Sequence, residues 1–169
     1  MFFDIETNGL NPKINEVLLL TFYNGKEVCL ISGDKIQTII KVLNNVERDI
    51  NLVGHNLKFD LSFLVSNGLV LNERYYLWDT FLMSKLLYNQ FPVTNHGIDD
   101  ILFKEFNIRL KDFGHSFAEL DEDLNPICSV YNLTPNQIIY AVDDVIYLPM
   151  LLSRFITLLR KENLQVVYK

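Results

Sequence analysis

Apolar and polar positions alternate along the chain in short blocks that read as strands and helices in turn. Residues 2–6 (FFDIE) form a short β-compatible run that Thr7-Asn8-Gly9 breaks. Residues 17–23 (VLLLTFY) and 26–31 (KEVCLI) are two further strand-like runs. Between them stands Asn24-Gly25, the strongest two-residue hairpin signal. Over residues 34–46, Ile36, Ile39, Ile40 and Leu43 recur at helical spacing, with Asp34 placed to cap the helix. The pattern then predicts a short strand at 51–54, a helix at 57–64, a strand at 75–78 and helices at 80–88 and 98–106. Residues 111–126 are mixed and carry Glu119, Asp121, Glu122 and Asp123. That acidic run reads as a solvated loop; a partner-binding patch is the sharper alternative.

The last helix has the clearest start. Thr134-Pro135-Asn136-Gln137 is a capping box with proline at the first helical position. The helix is expected to run from Pro135 to about Lys161, kinked at Pro149. Its apolar residues, Ile138, Ile139, Val142, Val145 and Ile146 among them, cover more than one face, which predicts a largely buried helix. Strands alternating with helices after an opening hairpin predict an α/β fold: a mixed sheet of about five strands flanked by helices. A length of 169 residues makes one domain, 1–169, the expectation.

Composition narrows the class. With 49% hydrophobic and 21% charged residues the chain is no disordered segment. No apolar run approaches the roughly 20 residues that span a bilayer, so no membrane partner is expected. Cys29 and Cys128 are far apart without a CxxC pairing and read as buried free thiols in a reducing compartment. No basic region precedes an apolar stretch at the N-terminus. The expected location is therefore intracellular, cytoplasmic or nucleoid-associated, with an organelle left open. The net charge of -6 counts at first against a nucleic-acid ligand, because binders usually carry a basic excess.

Three carboxylate clusters carry candidate chemistry. Asp4 and Glu6 stand two apart on a strand, so both project from one face. Side by side they repel unless a cation sits between them, and a divalent metal with oxygen ligands supplies one. Asp60 lies in the first turn of a helix, where the dipole favours a carboxylate. Tyr140 and Asp144, four apart on the last helix, share a face one turn apart. Asp143 is one residue out of phase and is expected to face elsewhere. Tyr75 and Asp79 repeat the Tyr-x3-Asp spacing, but across a strand end that keeps them about 13 Å apart. Alone, each cluster also reads as ordinary: an exposed strand face, a helix N-terminal acid, a tyrosine beside a solvated acid.

Together and in this order, the clusters resemble the DEDD family of 3′-5′ exonucleases in its tyrosine subtype. FDIETNGL is similar to the family's first motif, HNLKFD to its second and YAVDDVIYL to its third. The histidine subtype is disfavoured because none of His55, His96 and His115 falls in the last helix. His55 and Asp60 do stand five apart, but within the second motif. DFGHSFAEL and residues 126–130 resemble the proofreading domain of polymerase I-type enzymes more than the RNase D branch, while HGIDDIL fits both.

The resemblance implies an RNase H-like, DnaQ-like exonuclease fold. It implies hydrolysis of single-stranded or frayed DNA from the 3′ end, with release of nucleoside 5′-monophosphates. RNA trimming is the alternative, and a catalytically inactive binding domain the second alternative. The implied cofactors are two divalent ions, Mg²⁺ with Mn²⁺ as substitute. Asp4, Glu6 and Asp144 would hold the first, Asp4 would bridge to the second, and Asp60 would support that second ion. Tyr140 would orient the attacking water, since a phenol with a pKa near 10 is a poor base. Thr7 and Asn8 would meet the terminal 3′-hydroxyl, Leu10 would wedge against the terminal base, and Asn56, Phe59 and His55 would line the site. Leu10 and Phe59 as core residues are the plain alternative. A DNA polymerase domain or subunit is the implied partner, with the chain either a stand-alone nuclease or a domain cut from a longer protein. Two divalent ions would bring the formal charge from -6 to -2, so the acidic balance ceases to exclude nucleic acid.

Overall fold

The computed structural model describes residues 1–88, 95–110 and 133–164. His115, Cys128, the acidic run at 119–123 and the segments 112–120 and 126–130 lie outside the described residues. Five strands, β1 (Phe2–Thr7), β2 (Val17–Tyr23), β3 (Val28–Ser32), β4 (Ile50–Gly54) and β5 (Tyr75–Asp79), form one sheet in the order β3-β2-β1-β4-β5. The hairpin pairs are antiparallel, and β1–β4 and β4–β5 are parallel. Six helices flank it: α1 (Ile36–Asn44), α2 (Leu57–Ser66), α3 (Thr80–Tyr88), α4 (Ile98–Phe106), α5 (Pro135–Ile146) and α6 (Leu148–Lys161).

Strand periodicity sorts β1 into two faces. Phe3 and Ile5 point into a core made with Leu20, Leu52, Ile36, Ile40, Phe63 and Leu64, which seats α1 and α2 on that side. Phe2, Asp4 and Glu6 point the other way, toward α5. There Leu19 packs on Ala141, and Val53 packs with Val145 and Leu148. A separate helical cluster of Met83, Ile101, Leu102, Leu151, Phe155 and Leu159 joins α3, α4 and α6.

Four expectations need correction. Asp34 does not cap α1; it lies in a 3₁₀ turn, Gly33–Lys35, and pairs with Lys35 at 2.9 Å on the surface. Gly33 packs where any Cβ would overlap the carbonyl oxygen of Val17, which sets that turn tight against β2. The last helix is not one kinked rod but two helices that break at Tyr147. Pro149 has no N–H to continue the ladder, and its ring excludes the carbonyl four residues back. α5 is also less buried than its apolar pattern implies, since Ile138 and Ile139 are 38% and 41% exposed. Cys29 is a free thiol but an exposed one, on the edge strand β3. The hairpin stands with a longer turn: Asn24 Oδ1 accepts from the backbone N–H groups of Lys26 and Glu27, which delays β3 to Val28.

The start of α2 is fixed from β5. Asn56 adopts a left-handed conformation, φ 67°, that Asn tolerates better than most residues. Its N–H donates to Asp79 Oδ1 at 3.0 Å. The same buried oxygen accepts from the N–H groups of Phe81 at 2.9 Å and Leu82 at 3.3 Å, capping α3. One carboxylate thus ties the helix that carries Asp60 to the sheet. Tyr75, by contrast, sends its hydroxyl to Leu43 O at 2.9 Å, so the second Tyr-x3-Asp pair shares no site. We predict that Asp79→Ala lowers unfolding free energy by about 2 kcal/mol in urea denaturation, since it removes a helix cap and an anchor together.

Candidate active site

Four acids converge where β1, α2 and α5 meet. Asp4 and Glu6 come from the α5 face of β1, Asp144 from α5, and Asp60 from the first turn of α2. One carboxylate oxygen each from Asp4, Glu6 and Asp144 lie within 4.8 Å of one another. Asp60, 2% exposed, stands outside that trio but close enough to repel Asp4. The acids line a cleft of about 410 Å³. Among the described residues β1 is registered with β4 only at Phe2–Val53. The backbone at Ile5, further along β1, bonds the Asp60 carboxylate.

The electrostatics follow from burial of like charges. Desolvation pushes Asp4 well above the usual carboxylate range, and repulsion from Asp60, Asp144 and Glu6 adds to it. Glu6 rises to about 9, from desolvation and then from Asp144 and Asp60. Asp144 rises to about 7, through desolvation and then Asp143, while a hydrogen bond with Tyr140 acts the other way. Asp60 also rises, chiefly by desolvation. The Asp144 charge, then desolvation, raises the Tyr140 phenol, so its proton stays in place at any working pH. Three half-buried oxygen donors that repel one another and converge on one point suit a hard divalent cation. Asp4, Glu6 and Asp144 are thus the residues that fit such an ion.

The expected surroundings divide. His55, Asn56 and Phe59 line the cleft, whereas Thr7, Asn8 and Leu10 do not. Thr7 Oγ1 donates to Gly9 O at 2.7 Å, and Asn8 exchanges bonds with Glu16, whose N–H donates to Asn8 Oδ1 at 2.7 Å. These contacts brace a loop on which Leu10 is 84% exposed, so the core reading of Leu10 is wrong. Both His55 ring nitrogens are engaged within the chain, Nδ1 with Thr80 Oγ1 at 2.9 Å and Nε2 with His96 O at 2.8 Å. Burial lowers the His55 pKa first of all. His96 bonds Ser84 through Nδ1 at 2.9 Å. Asp143 lies outside the acid cleft, as its phase implies, and lines an adjoining cavity of about 440 Å³ that shares Tyr140 and Asp144 with the first.

Phe81, Asn95 and Ile98 also line the cleft, and pattern reading missed them. Each is an ordinary residue locally and reaches the site only through the packing of α3 and the start of α4. Among the described residues no helix is long and apolar enough to cross a membrane.

A five-stranded mixed sheet with clustered acids on its central strand and flanking helices matches an RNase H-like nuclease architecture. A family model described as 3′-5′ exonuclease matches residues 2–160, and the chain belongs to that family. Among solved structures, Brucella melitensis NrnC bound to pGG is similar with a TM-score of 0.75 and 22% identity, covering 96% of this chain and 74% of that one. The same protein with bound Mg²⁺ gives a TM-score of 0.74 and 23% identity, with 96% and 74% covered. Escherichia coli RNase D, an exoribonuclease involved in structured RNA processing, gives 0.71 and 17%, covering 96% of this chain and 40% of its own. No curated protein matches the chain in sequence.

The raised carboxylates set a pH dependence with a definite sign. Glu6, at about 9, and Asp144, at about 7, keep protons in the folded state that the unfolded chain releases near pH 4. The stability this contributes is complete below about pH 4 and is lost as pH rises through 7 to 9. We predict that, without divalent metal, Tm falls between pH 5 and pH 9. Added Mg²⁺ should raise Tm more at pH 8 than at pH 6, because binding requires the deprotonated acids. Thermal melts across that range check both slopes; a metal-free Tm that rises with pH would contradict the acid cluster.

Proposed function

We propose that this chain is a single 3′-5′ exonuclease domain of the tyrosine subtype. It removes nucleoside 5′-monophosphates from a single-stranded or frayed 3′ end with the help of Mg²⁺, for which Mn²⁺ substitutes. The observation that best supports this is the meeting of Asp4, Glu6 and Asp144 within 4.8 Å, with the Tyr140 hydroxyl bonded to Asp144. Divalent ions held there would supply an activated water and charge stabilisation for phosphodiester hydrolysis.

The residues have separate tasks in this reading. Asp4, Glu6 and Asp144 would hold one ion, and Asp60 with Asp4 would support a second. Tyr140, a phenol that keeps its proton, orients the attacking water and does not deprotonate it. Phe59, half-buried against Phe63, offers a sequence-tolerant stacking surface at the cleft, and the exposed Asn56 side chain offers polar contact. Leu10, on its braced loop, wedges at the terminal base, with Thr7 and Asn8 fixing the loop. His55 acts from the cleft wall by holding the His96 carbonyl beside it.

The sugar has two readings. DNA, and with it a proofreading role beside a polymerase domain, rests on the flanks that resemble polymerase I-type enzymes. RNA is the second reading, supported by the likeness to RNase D, an exoribonuclease, and to NrnC bound to pGG. What separates the two is the 2′-hydroxyl of the terminal nucleotides. Equal-length DNA and RNA oligonucleotides, digested side by side with Mg²⁺, decide it: faster loss of 3′ nucleotides from DNA upholds the first reading, faster loss from RNA the second.

Two variants test the roles. Asp4→Ala should lower the rate by about 10³-fold or more, the scale of lost charge stabilisation by the metal site. Substantial remaining activity would overturn the metal assignment. Tyr140→Phe should lower kcat by about 10²-fold while Mn²⁺ affinity, read by calorimetry, stays close to that of the unaltered chain.

A further inference from the structure

Among the described residues, one buried side-chain polar atom has no hydrogen-bond partner: the hydroxyl oxygen of Thr21. Thr21 is 0% exposed and lies in β2, between β1 and β3. In the β1–β2 register it stands directly opposite Asp4. Opposed residues of an antiparallel pair project from the same face, with Cβ atoms about 4.5–5.5 Å apart. That face lies beneath α5, the helix of Tyr140 and Asp144. On either side of Thr21 along β2, Leu19 packs with Ala141, and Tyr23 belongs to the cluster of Val145 and Leu148. Leu30, paired to Thr21 from β3, belongs to the same apolar layer as Leu19.

Such a position asks for valine. Valine has the shape of threonine, the same strand preference and no polar atom to satisfy. An orphaned hydroxyl there costs stability that valine would not. The residue directly opposite it in the strand register, Asp4, carries a carboxylate that can use it. Carboxylates that ligate metals are themselves held by hydrogen bonds from outer groups, which fix the oxygen that meets the ion. An ionised carboxylate is also a stronger acceptor than a neutral group.

We propose that Thr21 is a positioning residue for Asp4, its hydroxyl donating to the carboxylate when a divalent ion occupies the cluster. The inference rests on the metal-binding reading above. The Thr21 side chain turns about χ1 to make the bond, and Asp4 then presents a fixed oxygen to the ion. The hydroxyl is thus kept at a cost in the metal-free fold and satisfied in the loaded one.

Calorimetric titration of Mg²⁺ and Mn²⁺ into the unaltered chain, Thr21→Val and Thr21→Ser tests this, with metal-free thermal melts of all three. The expected result is metal binding weakened about 10-fold in Thr21→Val and recovered in Thr21→Ser. Metal-free Thr21→Val should melt no lower than the unaltered chain. Equal affinity in Thr21→Val and the unaltered chain would overturn the role of Thr21 while leaving the metal site intact. Weak binding in both variants would also overturn it, because shape and not the hydroxyl would then matter. Absence of binding in the unaltered chain would overturn the metal reading itself.

Discussion

Mutual repulsion among closely set, partly desolvated carboxylates is the constraint that the rest of this structure serves. Asp4, Glu6 and Asp144 share a space under 5 Å across, and Asp60 adds a fourth charge at its edge. Water would relieve such crowding, but the fold withholds much of it, and the acids respond by holding protons. Holding them together takes three elements fixed independently. β1 is locked between β2 and β4, α5 is anchored by the reciprocal bonds of Thr134 and Gln137, and α2 is pinned by Asp79 through Asn56. The break at Tyr147 matters too. It ends α5 two residues past Asp144 and lets α6 turn into the separate cluster with α3 and α4.

Much of this was legible in the chain because the deciding signals are local. The two-residue period of β1 places Asp4 and Glu6 on one face without reference to anything distant. The i, i+4 spacing of Tyr140 and Asp144 works likewise, once the capping box has fixed a helix around them. The hairpin followed from Asn24-Gly25. What failed was set by tertiary contact. Asp34 had the right residue type for a cap, yet the packing of Gly33 against Val17 gave the preceding residues to a 3₁₀ turn. Phe81 and Asn95 carry no local mark at all. Thr21 could have been noticed as the one polar residue within VLLLTFY before its final tyrosine, a departure from a strand that is otherwise apolar.

The acidic balance of the chain, which at first argues against nucleic acid, gains a different meaning from this arrangement. A site that concentrates negative charge repels phosphate until cations enter it, so affinity for a strand depends on the ions and not on the surface alone. Among the described residues that line the cleft there is no lysine or arginine. The family assignment and the geometry agree: the sheet order sets two acids on the central strand facing a third on the last-but-one described helix, an arrangement that fits a divalent ion.

The central claim is that these acids exchange protons for a divalent ion near neutral pH. Calorimetric titration of Mg²⁺ at pH 7, repeated in two buffers of different ionisation enthalpy, measures this directly. The account predicts binding heats that differ between the buffers and correspond to release of about one proton or more per chain. Identical heats in both buffers, meaning that no proton leaves, would contradict it.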